Sequence, residues 1–207
     1  SFSQTEGLQN NNVLSIFSDS QRNLWLGLDN GIDLITYNSS IKQIKPLLQD
    51  GSGYTAILHD NRLFLGTSNG LFSVPVQPFP DMSFSKGSFT AVNNTKGQTW
   101  GLARINNQLL LGHHEGAFAI TNNDAIPISP DKGFWNFVPL SNTSPSGSMV
   151  AGGYTGLTIF DYVNGRFIQS KVISGFRESS RFVVLDNDSN IWVSHPYHGV
   201  FKIVRNE

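Results

Sequence analysis

The chain has 207 residues, a formal net charge of −1, 20 glycines, 15 phenylalanines and no cysteine. The balanced charge leaves no basic stripe of the kind that binds nucleic acid, and without cysteine there are neither disulfides nor thiolate chemistry. No apolar run approaches the roughly 18 residues that span a bilayer. Glycine-rich turns and many aromatic residues instead indicate an all-β protein of short strands.

One phrase recurs five times: an apolar strand, a tight turn closed by glycine, and the start of another strand. Its first copy occupies residues 23–32. The closing glycines are Gly31, Gly70, Gly116, Gly156 and Gly199. A spacing of roughly 40 to 45 residues with several strands per unit is typical of propeller blades. We therefore predict an all-β fold: a β-propeller of about five four-stranded antiparallel blades, or a fragment of a larger propeller.

The predicted blades form one domain over residues 1–207. Their approximate bounds are residues 12–50, 51–95, 96–131, 132–175 and 176–207. Their innermost strands are predicted at residues 13–19, 54–60, 100–105, 134–138 and 181–185. Outer strands are predicted at residues 41–45, near residues 82–84 and at residues 166–172. The sequence starts at Ser1 rather than at methionine, which indicates a piece of a longer protein.

In four of the units, the second strand offers a large apolar side chain for packing between blades. These side chains are Trp25, Phe64, Leu110 and Trp192. A blade cannot bury both of its faces alone, so neighbouring blades stack face to face and such side chains fill the space between them. We therefore predict that all four belong to the core rather than to a binding site.

Residues 13–19 followed by residues 23–32 resemble the regulator-propeller repeat. This repeat builds the sensor regions of Bacteroidetes hybrid two-component histidine kinases and of related one-component regulators. The resemblance covers essentially the whole chain, although the fourth unit lacks the tryptophan and the aspartate of the first turn. It implies a periplasmic, non-catalytic sensing module, commonly for glycans, with the kinase portion outside these residues.

Three aromatic residues start consecutive innermost strands: Tyr54, Trp100 and Trp135. Val13 and Ser180 align with them in the outer units. In a propeller these strand starts and the glycine-closed turns line one mouth, so the three rings are predicted to lie together. They form either a platform on which sugar rings stack or a hydrophobic plug that closes the central channel.

The turns at the same mouth add polar groups to this candidate site. The complete predicted ligand-binding set is Tyr54, Trp100, Arg104, His113, His114, Glu115, Trp135, Tyr154, Arg181, His195 and Tyr197. The histidines can hydrogen-bond a ligand or a partner, and the arginines can hold an anionic group bidentately. The alternative is that these residues are exposed turn residues or make structural hydrogen bonds between blades.

The sequence predicts no cofactor, no metal and no catalytic residue. Zinc needs three or four converging ligands, and the histidines at residues 113–114 and 195–198 fall in blades that are not neighbours. Residues 186–190 resemble part of a calcium loop but lack its glycine and distal glutamate, and they align with an ordinary hairpin turn. Glycosidase chemistry needs two facing carboxylates, whereas Glu115 is the one inward acid at the mouth apart from Asp29.

Three functional hypotheses follow. The leading one is a non-catalytic sensor domain of a two-component (hybrid histidine kinase) protein that binds an oligosaccharide in the periplasm and acts on the remaining sensor and kinase portions of its chain. The alternative is an assembly module that supplies a homodimer or interdomain surface and takes no small ligand. A polysaccharide lyase or hydrolase that depends on Glu115 is the least favoured, and binding of nucleic acid is not expected.

Overall fold

The computed structural model describes residues 2–36, 44, 46, 51–76 and 88–204. Their strands form five antiparallel sheets that follow one another in chain order, so the all-β prediction is confirmed. The chain divides into two compact units, residues 1–43 and residues 44–207. No helix in the described ranges is both long and apolar enough to cross a membrane.

The first unit contains a three-stranded sheet preceded by a short 3-10 turn, Gln4–Glu6. Its strands are β1 (Val13–Ser18), β2 (Leu24–Leu28) and β3 (Gly31–Ile35). In the β1–β2 hairpin, Asp19 Oδ1 accepts hydrogen bonds from the backbone N–H groups of Gln21 and Asn23, both at 2.9 Å. Aspartate favours such turns because its short carboxylate reaches these nearby donors. The outer strand predicted at residues 41–45 falls almost entirely outside the described residues.

The second unit contains the other four sheets. The sheet nearest its start has β4 (Gly53–His59), β5 (Arg62–Thr67), β6 (Gly70–Pro75) and β7 (Thr90–Ala91). The next has β8 (Thr99–Ile105), β9 (Gln108–His113), β10 (Gly116–Thr121) and β11 (Asp124–Pro127). The fourth has β12 (Phe134–Pro139), β13 (Ser148–Gly153), β14 (Gly156–Val163) and β15 (Arg166–Val172). The fifth has β16 (Phe182–Leu185), β17 (Ile191–His195) and β18 (Gly199–Ile203).

The outer strands depart most from the sequence expectation. The strand predicted at residues 166–172 is confirmed as β15. The strand predicted near residues 82–84 lies outside the described residues, and β7 at Thr90–Ala91 pairs with β6 in the outer position. The third sheet has an outer strand, β11, that the sequence pattern did not predict. Outer strands carry few apolar residues, so they leave the weakest periodic signal.

Within the second unit, consecutive sheets pack face to face through three apolar clusters. The first joins Phe64 and Leu71 to Leu109 and Leu111. The second joins the third and fourth sheets through Leu110, Ala117, Phe134, Met149 and Phe160. The third joins the fourth and fifth sheets through Val150, Leu157, Val183, Ile191 and Val193. Stacking of this kind is how repeated small sheets bury the faces that a single sheet leaves open.

The predicted core role of the second-strand side chains is confirmed for two of the four. Phe64 is 6% exposed and Leu110 is fully buried. The prediction is wrong for Trp25, which is 41% exposed, and Trp192 is only partly buried. Both tryptophans instead donate their indole N–H to the hairpin aspartate of the same sheet, Trp25 to Asp19 at 3.0 Å and Trp192 to Asp186 at 2.9 Å. At both positions the indole therefore contributes a polar N–H as well as its size.

Candidate ligand-binding site

In four of the sheets the first strand contains a β-bulge, and the position of the bulge shows which first-strand residues of the repeats are equivalent. The pairing register skips one residue in each case: Leu14, Tyr54, Trp100 and Trp135. A bulge leaves its extra residue outside the ladder and re-aims the side chain. The sequence alignment of Val13 with the three aromatic residues is therefore wrong by one position, because Leu14 occupies the bulge.

The same correction applies to the fifth sheet. Phe182 pairs with Ser194, just as Asn136 pairs with Gly152 one residue after the bulge in the fourth sheet. The equivalent of Trp135 is therefore Arg181 and not Ser180. At this position the second, third and fourth sheets each carry an aromatic ring, and the fifth sheet carries a guanidinium group.

The three bulge aromatics contact one another in sequence, and a fourth ring extends the contact. The ring centroids of Tyr54 and Trp100 are 4.9 Å apart, and those of Trp100 and Trp135 are 4.7 Å apart. Tyr154, from the β13–β14 turn, lies 5.0 Å from Trp135. All three contacts are tilted, which suits the quadrupoles of aromatic rings. We call Tyr54, Trp100, Trp135 and Tyr154 the aromatic row.

Tyr154 ties the aromatic row to polar groups. Its hydroxyl accepts a hydrogen bond from Trp100 Nε1 at 2.8 Å and lies 3.0 Å from His114 Nδ1. Partial burial raises the pKa of the Tyr154 phenol, so the hydroxyl stays protonated near neutral pH. Gly133 makes the placement possible: at its φ of +73°, a Cβ would lie 2.3 Å from the Tyr154 ring. The ring therefore rests directly on the backbone of the preceding turn.

An ion pair flanks the row beside His114. Lys132 Nζ donates a hydrogen bond to Glu115 Oε2. That hydrogen bond, followed by the charge of Lys132, lowers the pKa of Glu115, so the carboxylate is ionised and its charge is matched by the lysine. His114 Nε2 lies 3.8 Å from the other carboxylate oxygen, Glu115 Oε1. The acid at the mouth is thus half exposed and already paired.

Arg181 completes the arrangement at the other side of Trp135. Its guanidinium carbon lies 5.4 Å from the centroid of the Trp135 ring and 5.6 Å from that of Phe182. These are cation–π distances, at which the guanidinium gains attraction from the ring face. Across the described ranges, Arg181 has no ion-pair partner, and its side chain is exposed.

His113 and Arg104 lie apart from this group. His113 is 2% exposed, and its Nδ1 accepts a hydrogen bond from the backbone N–H of Glu115 at 3.0 Å. Burial lowers the pKa of His113, so it is a neutral structural residue of the β9–β10 turn. Arg104 pairs with Leu109 near the β8–β9 hairpin, four residues along the strand from Trp100. Four strand residues correspond to about 13 Å, so Arg104 belongs to the opposite end of the sheet.

His195 and Tyr197 lie on the β17–β18 turn, where a different group forms. One ligand atom each from Glu178, His195 and His198 lies within 4.8 Å of the others. Glu178 Oε2 is 2.8 Å from His198 Nδ1 and 3.6 Å from His195 Nε2. The sequence reasoning considered these histidines and missed Glu178, which the chain brings back from the segment before β16. Tyr197 is 90% exposed.

The hydrogen bonds of His195 oppose metal binding at this group. Its Nδ1 accepts from the backbone N–H groups of Tyr197 and His198, both at 3.0 Å. A neutral imidazole that accepts at Nδ1 carries its proton on Nε2, the atom that a metal would need. The group is therefore suited to a hydrogen-bonded Glu–His cluster rather than to a zinc centre.

The calcium-like stretch is also filled by protein donors. Asp186 Oδ1 accepts from the backbone N–H groups of Asp188 and Asn190 at 3.0 and 2.9 Å, and Oδ2 accepts from Trp192. Chiefly the Trp192 hydrogen bond, together with those from Asn190, lowers the pKa of Asp186 to about 2. The geometry repeats that of Asp19 in the first sheet and supports the interpretation as a hairpin turn.

Comparison with known proteins agrees with this architecture. Residues 7–30 match the family model described as two component regulator propeller, which confirms the resemblance predicted from the sequence. The extracellular domain of BT4673 from B. thetaiotaomicron is 20% identical, with a TM-score of 0.60 over 96% of this chain and 30% of that domain. The extracellular domain of the two component system BT3049 from B. thetaiotaomicron is 18% identical, with a TM-score of 0.55 over 93% and 27%.

A propeller of another kind matches as well. The WD40 β-propeller domain of Doa1 is 13% identical, with a TM-score of 0.53 over 98% of this chain and 67% of that domain. No curated protein matches the sequence. At these identities the structural likeness concerns the fold, and the chain spans less than a third of the two B. thetaiotaomicron domains. The chain carries a two component regulator propeller repeat at residues 7–30 within a propeller-like, all-β fold.

Proposed function

We propose that this chain is part of the extracytoplasmic sensor region of a two-component signalling protein and that it binds an oligosaccharide at the aromatic row. The observation that carries the proposal is the row itself: four rings from three sheets in continuous contact, with partly exposed faces. The matches to a regulator-propeller model and to extracellular domains of B. thetaiotaomicron support the sensor role and a periplasmic location.

The chemistry of the row suits a sugar. The apolar C–H faces of a sugar ring pack on aromatic rings, and its hydroxyls need hydrogen-bond partners at the edge of the platform. His114, Glu115 and Arg181 stand at that edge and offer both donors and acceptors. The competing idea of a purely structural plug accounts for the ring contacts but gives no role to this polar margin.

A sensor needs binding rather than turnover, and the site is consistent with a non-catalytic role. Hydrolysis of a glycosidic bond needs two carboxyl groups that face each other across the bond. Glu115 is the acid that flanks the row in the described residues, and Lys132 holds it ionised. Signalling then requires that the oligosaccharide bind two states of the full sensor with different affinities, so that it shifts their populations toward the remaining sensor and kinase portions.

The test is binding of an oligosaccharide panel by isothermal titration calorimetry to the wild-type chain and to two variants, Trp100→Ala and Trp135→Ala. Loss of a central aromatic contact costs about 2 kcal/mol or more, so each variant is expected to weaken binding about thirtyfold or more. Tyr197→Ala is the matched control, because Tyr197 is a highly exposed aromatic residue outside the row. Unchanged affinity in both tryptophan variants, with normal melting curves, would remove the row from the proposal.

One observation favours assembly as a second function. The outward face of the fifth sheet exposes Phe182, Val184 and Val200 to 61%, 59% and 65%. Apolar residues grouped on one sheet face often mark a surface that another protein surface covers. Sedimentation equilibrium over a range of concentrations tests this, with Val184→Glu as the variant expected to abolish any association. A wild-type chain that stays monomeric throughout contradicts self-association.

A further inference from the structure

We infer that the aromatic row binds an acidic oligosaccharide, one whose sugar carries a carboxylate or a sulfate, and that Arg181 holds this anionic group. The inference rests on the proposed function and deepens it. It starts from the repeat: Arg181 lies just before β16, at the position that aligns with the bulge residues Tyr54, Trp100 and Trp135 of the preceding three sheets. A cation thus replaces a ring in the last member of an otherwise aromatic series.

Arg181 differs from the other charged side chains around the row because no carboxylate in the described ranges balances its charge. Beside the row lie His114, Glu115, Lys132 and Arg181, and Tyr154 belongs to the row itself. Glu115 and Lys132 neutralise each other, and burial keeps the Tyr154 phenol protonated. No carboxylate of the described chain pairs with Arg181. Among the residues that the structure describes, Arg181 is therefore the charged side chain at the margin of the site that has no partner of opposite charge.

The position of the guanidinium suits an anion on a stacked sugar. The guanidinium carbon lies within cation–π distance of both Trp135 and Phe182, and a ring contact of this kind does not use the N–H donors of the planar group. The 5.4 Å from the guanidinium carbon to the Trp135 ring is close to the 4.7 to 5.0 Å between successive rings of the row. A sugar on the row consequently has the guanidinium at its edge, where a substituent on the ring projects. Bidentate pairing with a carboxylate or sulfate would use this geometry.

The experiment compares matched ligands. Uronic-acid oligosaccharides are titrated beside their carboxyl-reduced counterparts, and sulfated oligosaccharides beside their desulfated counterparts, by isothermal titration calorimetry at low ionic strength. A charge-assisted bidentate contact is expected to make the acidic member bind about tenfold tighter or more. Added salt should narrow the difference. Whether the carboxylate or the sulfate pair shows the larger ratio identifies the source of the negative charge.

Two arginine variants make the assignment specific. Arg181→Gln is expected to remove the preference for the acidic member, so that the acidic and neutral members bind with similar affinity. Arg181→Lys keeps the charge but loses the planar fork, so it should restore only part of the preference. The control is Arg166→Gln, because Arg166 is an exposed arginine that lines a separate cavity of about 660 Å³ at the far ends of these strands.

The outcomes separate this inference from the function on which it rests. Equal binding of acidic and neutral members, or a preference that survives Arg181→Gln, overturns the role of Arg181 while loss of neutral-sugar binding in Trp135→Ala still supports the sugar site. A preference that Arg166→Gln removes instead moves the anion to the other cavity and also overturns the inference. Failure of every acidic oligosaccharide in the panel to bind overturns it as well.

Discussion

The first three strands of the fourth sheet and the three strands of the fifth follow the same order, but the two sheets have different neighbours and their sequences differ accordingly. In the fourth sheet the face toward the fifth carries Val150 and Leu157, both fully buried. At the positions equivalent to these residues, the fifth sheet carries Trp192 and Val200, and Val200 is 65% exposed. A packed neighbouring sheet, rather than the strand itself, therefore determines which side chains fit at a given strand position.

The glycines of the second strands show the same difference between a sheet face that is packed and one that is open. A Cβ at Gly152 would lie 2.0 Å from the backbone oxygen of Ser180, and one at Gly112 would lie 2.8 Å from the backbone oxygen of Phe134. The next sheet or its lead-in approaches so closely that only glycine fits. The equivalent residue of the fifth sheet is Ser194, which carries a side chain and is partly buried. The second-strand glycines Gly112 and Gly152 are therefore required by stacking, and they are distinct from the glycines that close the turns.

The largest expected effect comes from truncation of the packed core. Leu110→Ala should lower the free energy of unfolding by about 2 to 5 kcal/mol, because Leu110 is fully buried between the third and fourth sheets and its loss leaves a cavity. Val184→Ala, on the exposed face of the fifth sheet, should change it by less than about 0.5 kcal/mol. Urea denaturation measures both values. Similar losses in the two variants would mean that another surface covers the fifth sheet in solution.

A smaller effect is expected from adding one methyl group at the glycine position. Gly152→Ala places its Cβ against a backbone oxygen that cannot move aside like a flexible side chain, so a loss of about 1 to 3 kcal/mol is expected. Ser194→Ala is the matched change in the fifth sheet and should be nearly neutral. The two variants are compared by thermal melting under identical conditions. A neutral Gly152→Ala would contradict the close packing of the fourth and fifth sheets.

The sequence predicts the features of this molecule that depend on local geometry, and it does not predict those that depend on strand pairing or on packing between distant residues. The regular spacing of the glycine-closed turns depends on local geometry, and it correctly located the first three strands of all five sheets. The bulge is a property of pairing between strands, so the alignment placed Val13 and Ser180 where the structure has Leu14 and Arg181. The contacts of Trp100 with Tyr154 and of Glu178 with the histidines join residues that are distant in the chain. No spacing rule along the sequence predicts them.

The third prediction concerns the pH dependence of a buried histidine. His113 ends the second strand of its sheet and accepts a turn N–H group at Nδ1, and burial lowers its pKa. A histidine whose folded-state pKa is below its ordinary value of 6.5 stabilises the fold above that pH, and this contribution is lost as the pH falls below 6.5. The melting temperature should therefore decrease from pH 7 to pH 5.

A variant assigns that decrease to one residue. His113→Leu removes the titrating group and should flatten the dependence, although the loss of the hydrogen bond from Glu115 lowers the melting temperature at every pH. An unchanged slope in His113→Leu would show that another group titrates in this range.

The smallest effect is expected at the hairpin aspartates, which the first and fifth sheets share. Asp186 has a pKa lowered to about 2, and the pKa of Asp19 is lowered as well, in both cases chiefly by the indole hydrogen bond. A carboxylate with a depressed pKa stabilises the fold above the ordinary value of 3.8, and the contribution is lost as the pH falls toward 2. The melting temperature of Asp186→Asn should accordingly lie below that of the wild type at pH 7 and approach it near pH 2.

Asp188→Asn is the control, because the Asp188 backbone N–H donates to the Asp186 carboxylate whereas the Asp188 side chain makes no hydrogen bond within the described chain. A gap between Asp186→Asn and wild type that persists unchanged at pH 2 would mean that the hairpin depends on shape alone, and that the tryptophan of the repeat serves packing rather than the carboxylate.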